Sequence, residues 1–204
     1  MPAPIVNEHM RAYYHRRAAE YDDWWLGTGL FERRDRPGWA AEVGELVRVI
    51  GGLAPAHVLD VACGTGFLTR HLRGDVVAID QSSAMVEVAR TRLPRAQVLR
   101  ADAVPLSFAD DEFETVLTSH FYGHLLEDER AAFLSEARRV AGDLIVVDSA
   151  RRPDGPEEEW QERALNDGTR HSVYKRFFSA GDLADELGGG EILHEGRWFV
   201  VVAG

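Results

Sequence analysis

The stretch Val58-Leu59-Asp60-Val61-Ala62-Cys63-Gly64-Thr65-Gly66 decides the fold of this chain. Ala56 to Val61 is a short, apolar, β-branched run, the pattern of a buried strand, and it opens directly into a glycine turn at Gly64 to Gly66. Glycine accepts positive φ without steric cost and lets the backbone approach a ligand closely. A helix is expected from Phe67 to Leu72. Its first N–H groups would be free for an anion, whether a pyrophosphate or the carboxylate of a bound amino acid.

The same alternation continues outward. Val76 to Ile79 reads as a second strand ending at Asp80. Ser82 or Ser83 caps a helix that Pro94 stops after Leu93. Gln97 to Arg100, Phe113 to Thr118 and Leu144 to Val147 read as further strands, with a helix over Glu129 to Val140 before the last of them. Strands alternating with helices imply a parallel sheet joined by right-handed crossovers, a doubly wound α/β fold with helices on both faces. Upstream, Val6 to Trp25 reads as one aromatic-rich helix fraying near Gly27 and Gly29. Trp39 to Ile50 repeats apolar residues at Val43, Leu46, Val47 and Ile50, a helical spacing. Downstream, Arg151 to Gly155 reads as a turn, and the acidic run Glu157 to Glu159 as a solvated helix start. Ser179 caps a helix from Ala180 to Leu187, and Ile192 to His194 with Trp198 to Val202 suit a closing hairpin. The expectation is one domain over 1–204, with an N-terminal helical cap at 1–50, a cofactor-binding core at 51–149 and a substrate-side region with the closing hairpin at 150–204.

Three acidic residues sit at or just beyond the ends of three strands. Asp80 ends the second strand beside the glycine turn, where a carboxylate can accept both vicinal hydroxyls of a ribose. Asp102, after the third, can accept from an exocyclic adenine amine, the Ala103 N–H can meet a ring nitrogen, and Gln81 and Met85 can flank the adenine faces. Asp80 also suits a helix cap, and Asp102 an Asx-turn. Asp60 is harder to explain structurally, because a carboxylate inside a strand end needs a partner. Cys63 reads as a small packing residue.

Composition narrows the class. The 204 residues suit a single domain, and one cysteine excludes an intrachain disulfide. No apolar run approaches the roughly 20 residues that span a bilayer, and Met1 to Arg17 has no signal-peptide apolar core, so a cytoplasmic protein is expected without membrane insertion. A formal charge of −11 repels phosphate backbones, which disfavours a nucleic-acid substrate and favours a small molecule.

These motifs resemble the class I S-adenosylmethionine-dependent methyltransferases, especially the small-molecule group that includes the ubiquinone and menaquinone methyltransferases. The resemblance spans about Tyr13 to Val147 and is most specific at Val58 to Gly66, where Ala62 stands in a position that is glycine in many members. Val77-Ala78-Ile79-Asp80-Gln81-Ser82, Ala101-Asp102-Ala103-Val104-Pro105-Leu106 and Phe113-Glu114-Thr115-Val116-Leu117-Thr118-Ser119 match the strand ends that follow. The resemblance implies a seven-stranded, mostly parallel sheet with a C-terminal antiparallel hairpin, and S-adenosylmethionine as cofactor. It also implies a cofactor site of Asp60, Ala62, Gly64, Gly66, Asp80, Gln81, Met85, Asp102, Ala103 and Ser119, with Asp60 and Ser119 toward the methionine end. The N-terminal helix, through Tyr13 and Tyr21, would close over the cofactor.

Methyl transfer needs alignment more than acid–base chemistry. His120 and His124 follow the fourth strand and would share a face if that segment is helical, which makes them the candidate bases. Their spacing also suits zinc, but no Glu or third ligand accompanies them, so no metal is expected. His171 and Tyr174 are candidates for a substrate lid, and Trp24, Trp25 and Trp39 for an apolar wall or plain core. A nicotinamide dehydrogenase is the first competing class, but Thr69 replaces the third glycine of its fingerprint. A non-catalytic S-adenosylmethionine-binding module is the second. Oxygen, nitrogen and carbon acceptors all fit this pattern, and it leaves the oligomeric state open.

Overall fold

The computed structural model describes residues 8–204. Five parallel strands form its centre: β1 (Ala56–Val61), β2 (Gly74–Asp80), β3 (Gln97–Arg100), β4 (Phe113–Ser119) and β5 (Ala141–Ser149). Two strands, β6 (Glu158–Ala164) and β7 (Arg170–Arg176), pair as a separate antiparallel hairpin. The last two, β8 (Glu191–Glu195) and β9 (Phe199–Ala203), add antiparallel to β5, so the main sheet runs β3-β2-β1-β4-β5-β9-β8. This is the seven-stranded, doubly wound sheet with a closing hairpin that the alternation and the resemblance imply.

Period-two alternation divides the core between the two faces. Leu59, Val61, Val116, Leu144, Val146, Val200 and Val202 share one apolar cluster, while Val58, Leu117, Ile145, Val147, Phe199 and Val201 share the other. Six helices flank the strands: α1 (Glu8–Arg17), α2 (Asp23–Leu26), α3 (Trp39–Gly52), α4 (Ser83–Arg92), α5 (Glu127–Val140) and α6 (Ala180–Glu186). Helix α3 seals the second cluster through Leu46 and Ile50, and α5 and α6 seal the first through Phe133, Ala137 and Leu183. Ser82 caps α4, its side chain accepting from the Met85 N–H at 3.3 Å.

Three sequence expectations need correction. Phe67 to Leu72 is not a helix; only Thr69–His71 forms a 3-10 turn. Strand β2 begins at Gly74, too soon after the glycine turn for a helix to form, and Phe67 and Leu68 spend that segment filling the core beside Trp25. The acidic run at Glu157 to Glu159 leads into strand β6 instead of a helix, since Glu158 and Glu159 lie opposite Arg176 and Lys175 of β7 and Glu162 pairs with Arg170. The single helix expected over Val6 to Trp25 breaks after Arg17 into a 3-10 turn (Ala18–Glu20) and the short α2, which Gly27 ends at φ +71°. The break lets Asp22 turn inward, where it accepts from Thr65 Oγ1 at 2.6 Å and pairs with Arg92. Val6 and Asn7, the start of that expected helix, lie outside the described residues.

Candidate functional site

From β1 the chain winds to β2 and β3 on one side, then to β4 and β5 on the other, so the sheet reverses between β1 and β4. Ligands of doubly wound sheets bind in the crevice at such a reversal, beyond the carboxyl ends of the strands. The register aligns Val61 with Ile79 and Thr118, so Ala62, Asp80 and Ser119 emerge side by side. They border a cavity. Tyr21, Ala62, Gly64, Asp80, Gln81, Met85, Ala103 and Ser119, eight of the twelve cofactor-site residues expected from sequence, line it with the two candidate bases His120 and His124.

The other four expected residues stand off the lining for identifiable reasons. Asp60 sits behind it, 2% exposed. Gly66 serves packing, because a Cβ there would come within 2.8 Å of Leu93. Tyr13 faces a second cavity and donates nothing to the first. Asp102 is at the rim, its carboxylate 3.3 Å from Arg11. Sequence reasoning did not select Met10, Ile79, Ala101 or Phe121, which also line the cavity. Nothing distinguished these apolar residues from core until the fold brought them together.

Both buried carboxylates are tuned by desolvation. Burial pushes Asp80 up to about 6, opposed by the N–H groups of Ser82 and Gly64, which donate to its two oxygens at 2.8 and 2.9 Å. Asp80 is thus a cap as well as a candidate ligand; each oxygen keeps a second lone pair for an incoming hydroxyl. Burial pushes Asp60 further, to about 7, although Thr69 Oγ1 donates to its Oδ2 at 2.5 Å. Its Oδ1 is buried with no hydrogen-bond partner among the described residues. A buried acceptor left unpaired is costly, and an ammonium is the group that would satisfy it best. Gly64 adopts φ +57°, and a Cβ there would meet the Tyr21 ring at 3.4 Å, so the turn is pared down beneath the aromatic cover. These features fit a nucleoside joined to an amino acid. Burial drives the Cys63 thiol well above its ordinary range, which suits packing.

Beyond this cavity lies a wider, open one, walled by Trp24, Phe31, Trp39 and Trp198 on its aromatic side. The two cavities share four residues: Tyr14, Tyr21, His120 and His124. His120 and His124 do not share a helical face, since only Tyr122–His124 forms a 3-10 turn and His120 holds a left-handed φ of +53°. That conformation is strained for a residue with a side chain and tends to mark functional positions. His124 Nδ1 donates to the Tyr174 carbonyl at 2.6 Å, which leaves Nε2 to accept from the Tyr14 hydroxyl at 2.8 Å. His120 Nδ1 lies 3.7 Å from the Asp148 carboxylate, and its Nε2 is buried without a partner among the described residues. Burial keeps both rings neutral, pushing His120 down to about 3 and His124 well below its ordinary value. Burial alone would raise Asp148, but the charge and hydrogen bond of the Lys175 ammonium, with the Ser149 N–H, more than offset it and hold it low.

The late segment contributes differently from expectation. Neither His171 nor Tyr174 lines the cavities: His171 packs on Tyr13, and Tyr174 offers its carbonyl to His124. Trp25 is core, 3% exposed, whereas Trp24 and Trp39 border the wider cavity.

Sheet order, glycine turn and paired strand-end carboxylates define a doubly wound nucleoside-binding domain. Comparison with known proteins sharpens that class. Residues 58–143 match the family described as "Methyltransferase domain". The chain is 31% identical over 166 residues to the demethylmenaquinone methyltransferase of Beutenbergia cavernae, covering 73% of this chain and 68% of that protein. It is 34% identical over 117 residues to the demethylmenaquinone methyltransferase of Renibacterium salmoninarum, covering 54% and 48%. Among solved structures, the DhpI–SAH complex superposes with a TM-score of 0.73 at 25% identity over 96% of this chain and 94% of that one. The chain therefore belongs to the S-adenosylmethionine-dependent methyltransferase family. It spans about half the length of several of the curated relatives that it matches.

Proposed function

We propose that this chain transfers the methyl group of S-adenosylmethionine to a small-molecule acceptor by in-line displacement. The observation that carries this reading is the shared wall of Tyr14, Tyr21, His120 and His124 between two cavities, one suited to an adenosyl amino acid and the other to an acceptor. When bound, the cofactor supplies a methyl group already activated on a sulfonium. The chain's part is then to hold two partners in line and keep water out. Asp80 takes the ribose hydroxyls, Asp60 Oδ1 takes the amino group, and Gln81, Met85 and Ala103 border the base. His120 Nε2 accepts the proton that the acceptor sheds. A base held near 3 is adequate if the proton leaves late, because a freshly methylated hydroxyl is strongly acidic. His124 is a positioning residue that holds the Tyr14 hydroxyl at the junction.

The test combines binding and turnover. S-Adenosylmethionine and S-adenosylhomocysteine are expected to raise the melting temperature, and NAD is not. Methyl-labelled cofactor should label small oxygen, nitrogen or carbon acceptors, with His120→Ala lowering kcat more than KM. A saturating NAD shift with none from S-adenosylmethionine would overturn the proposal. Tight S-adenosylhomocysteine binding without labelling of any acceptor would reduce the chain to a binding module.

A further inference from the structure

The wider cavity carries the opposite charge from the chain. The sequence holds 34 Asp and Glu against 23 Lys and Arg, yet the cavity lining has six Lys and Arg against three carboxylates. Those carboxylates are Asp35, Glu159 and Glu162; Glu162 is committed to Arg170, and Glu159 accepts from Gln161 Nε2 at 2.8 Å. On the cationic side, Lys175 is committed to Asp148. Arg17, Arg34, Arg36 and Arg163 form no ion pair within 4.0 Å among the described residues.

Arg17 is the most telling. It is only 6% exposed, and its Nη1 donates to the Tyr13 hydroxyl at 3.1 Å. Its guanidinium lies 5.0 Å from the centre of the Tyr21 ring. Ring faces compensate a buried cation in part, but a buried charge without a counter-charge remains expensive. Arg163 reaches the same place from β6, its Nη1 donating to the Tyr14 hydroxyl at 3.4 Å. Arg34 is depressed first by burial and then by the positive charges of Arg163 and Arg17, so the three cations feel one another. Arg36 lies on the Phe31 ring with Arg17 and Arg34, and is braced 3.9 Å above Trp39 while donating to the Trp24 carbonyl. A fold that is acidic overall gathers like charges around one cavity only if something negative enters it. A nucleic-acid backbone is a poor candidate for a chain of net charge −11.

Building on the methyl-transfer reading of the cleft, we propose that the wider cavity takes a small acceptor bearing an oxyanion, a carboxylate or a phosphate-type group. Arg17, Arg34 and Arg163 neutralise that group beside the wall shared with the cofactor cavity. Guanidinium forks suit both oxyanions, because each presents two oxygens to paired N–H donors. The anion fixes the acceptor's orientation, and the aromatic wall of Trp24 and Phe31 takes its apolar part.

The test uses the full chain and matched probes: benzoate against benzamide, and phenyl phosphate against phenol, titrated calorimetrically with and without saturating S-adenosylhomocysteine. At least one anion should bind about tenfold or more tightly than its neutral partner, and the tighter of the two anions assigns carboxylate or phosphate. Arg34→Gln, at an exposed position that folding does not need, and Arg163→Gln should each weaken anion binding about tenfold while leaving S-adenosylhomocysteine affinity within about twofold. Arg34→Lys should recover part of the loss. Neutral probes binding as well as anions, anions indifferent to both substitutions, or no anion binding at all would overturn the proposal. If anions bind but S-adenosylhomocysteine does not, the methyl-transfer reading fails while the charge assignment stands.

Discussion

Cofactor binding should expel protons, and Asp60 is the group that makes this measurable. Its carboxyl is moved by burial from 3.8 to about 7, with Oδ2 on Thr69 and Oδ1 unpaired. Because the folded-state pKa lies above the unfolded one, the folded protein holds this proton more tightly. The stabilisation from protonation is complete below about pH 4 and is lost as pH rises through 7. A shift of roughly 3 units, at about 1.4 kcal/mol each, puts the cost of the charged, buried carboxylate near 4 kcal/mol at neutral pH. An ammonium at Oδ1 would relieve much of that cost and ionise the group. Asp80, held at about 6, adds a second proton one unit lower. S-Adenosylhomocysteine affinity should therefore climb by up to about tenfold per unit between pH 6 and 7, climb more steeply below 6, and level off above 8. Calorimetry in buffers of different ionisation enthalpy should find about half a proton released at pH 7 and more than one at pH 6. Asp60→Asn should flatten the response between pH 6 and 8. Affinity that is level from pH 5.5 to 8 in the parent protein would refute the reasoning, as would proton release unchanged in Asp60→Asn.

Asp80→Ala should weaken S-adenosylhomocysteine binding by about 1.5–3 kcal/mol, the loss of a charge-assisted contact, and should also lower the melting temperature, because the Ser82 and Gly64 N–H groups lose their acceptor; unchanged affinity by calorimetry would leave Asp80 a cap alone. S-Adenosylhomocysteine should increase hydrogen-exchange protection over residues 8–26 together with the glycine turn, because Asp22 ties that segment to Thr65 and Arg92; a segment already fully protected in the free protein would defeat the lid idea. Gly123→Ala should destabilise the fold by about 1–3 kcal/mol in denaturant melts, since its Cβ would come within 2.6 Å of the Arg176 carbonyl oxygen and 2.9 Å of Lys175 Nζ; a melt like the parent's would mean the His120 to His124 loop yields easily.

Most of the fold was legible because its signals are local. Val58 to Val61, Val76 to Ile79 and Leu144 to Val147 are apolar runs cut by glycine or aspartate, and parallel strands buried on both faces leave that mark. The β6–β7 hairpin escaped notice because its strands are highly polar: Glu158 to Ala164 contains no buried residue, and its stability comes from cross-strand partners in β7. The cavity proposed for the cofactor was legible for a similar reason, since Ala62, Asp80 and Ser119 each sit at a strand end that sequence periodicity locates.

The acceptor side obeys a different logic. Arg17, Arg34 and Arg163 come from α1, the segment before α3 and β6, and no spacing in the chain links them. Each alone resembles an ordinary surface cation. Their meaning appears only when burial removes water from Arg17 and no carboxylate among the described residues lies within 4.0 Å in return. Position along the chain locates side chains at strand ends, because strand periodicity fixes where those ends fall. The proposed acceptor site joins an N-terminal cover to a late hairpin, and its signal is a charge imbalance visible only in three dimensions.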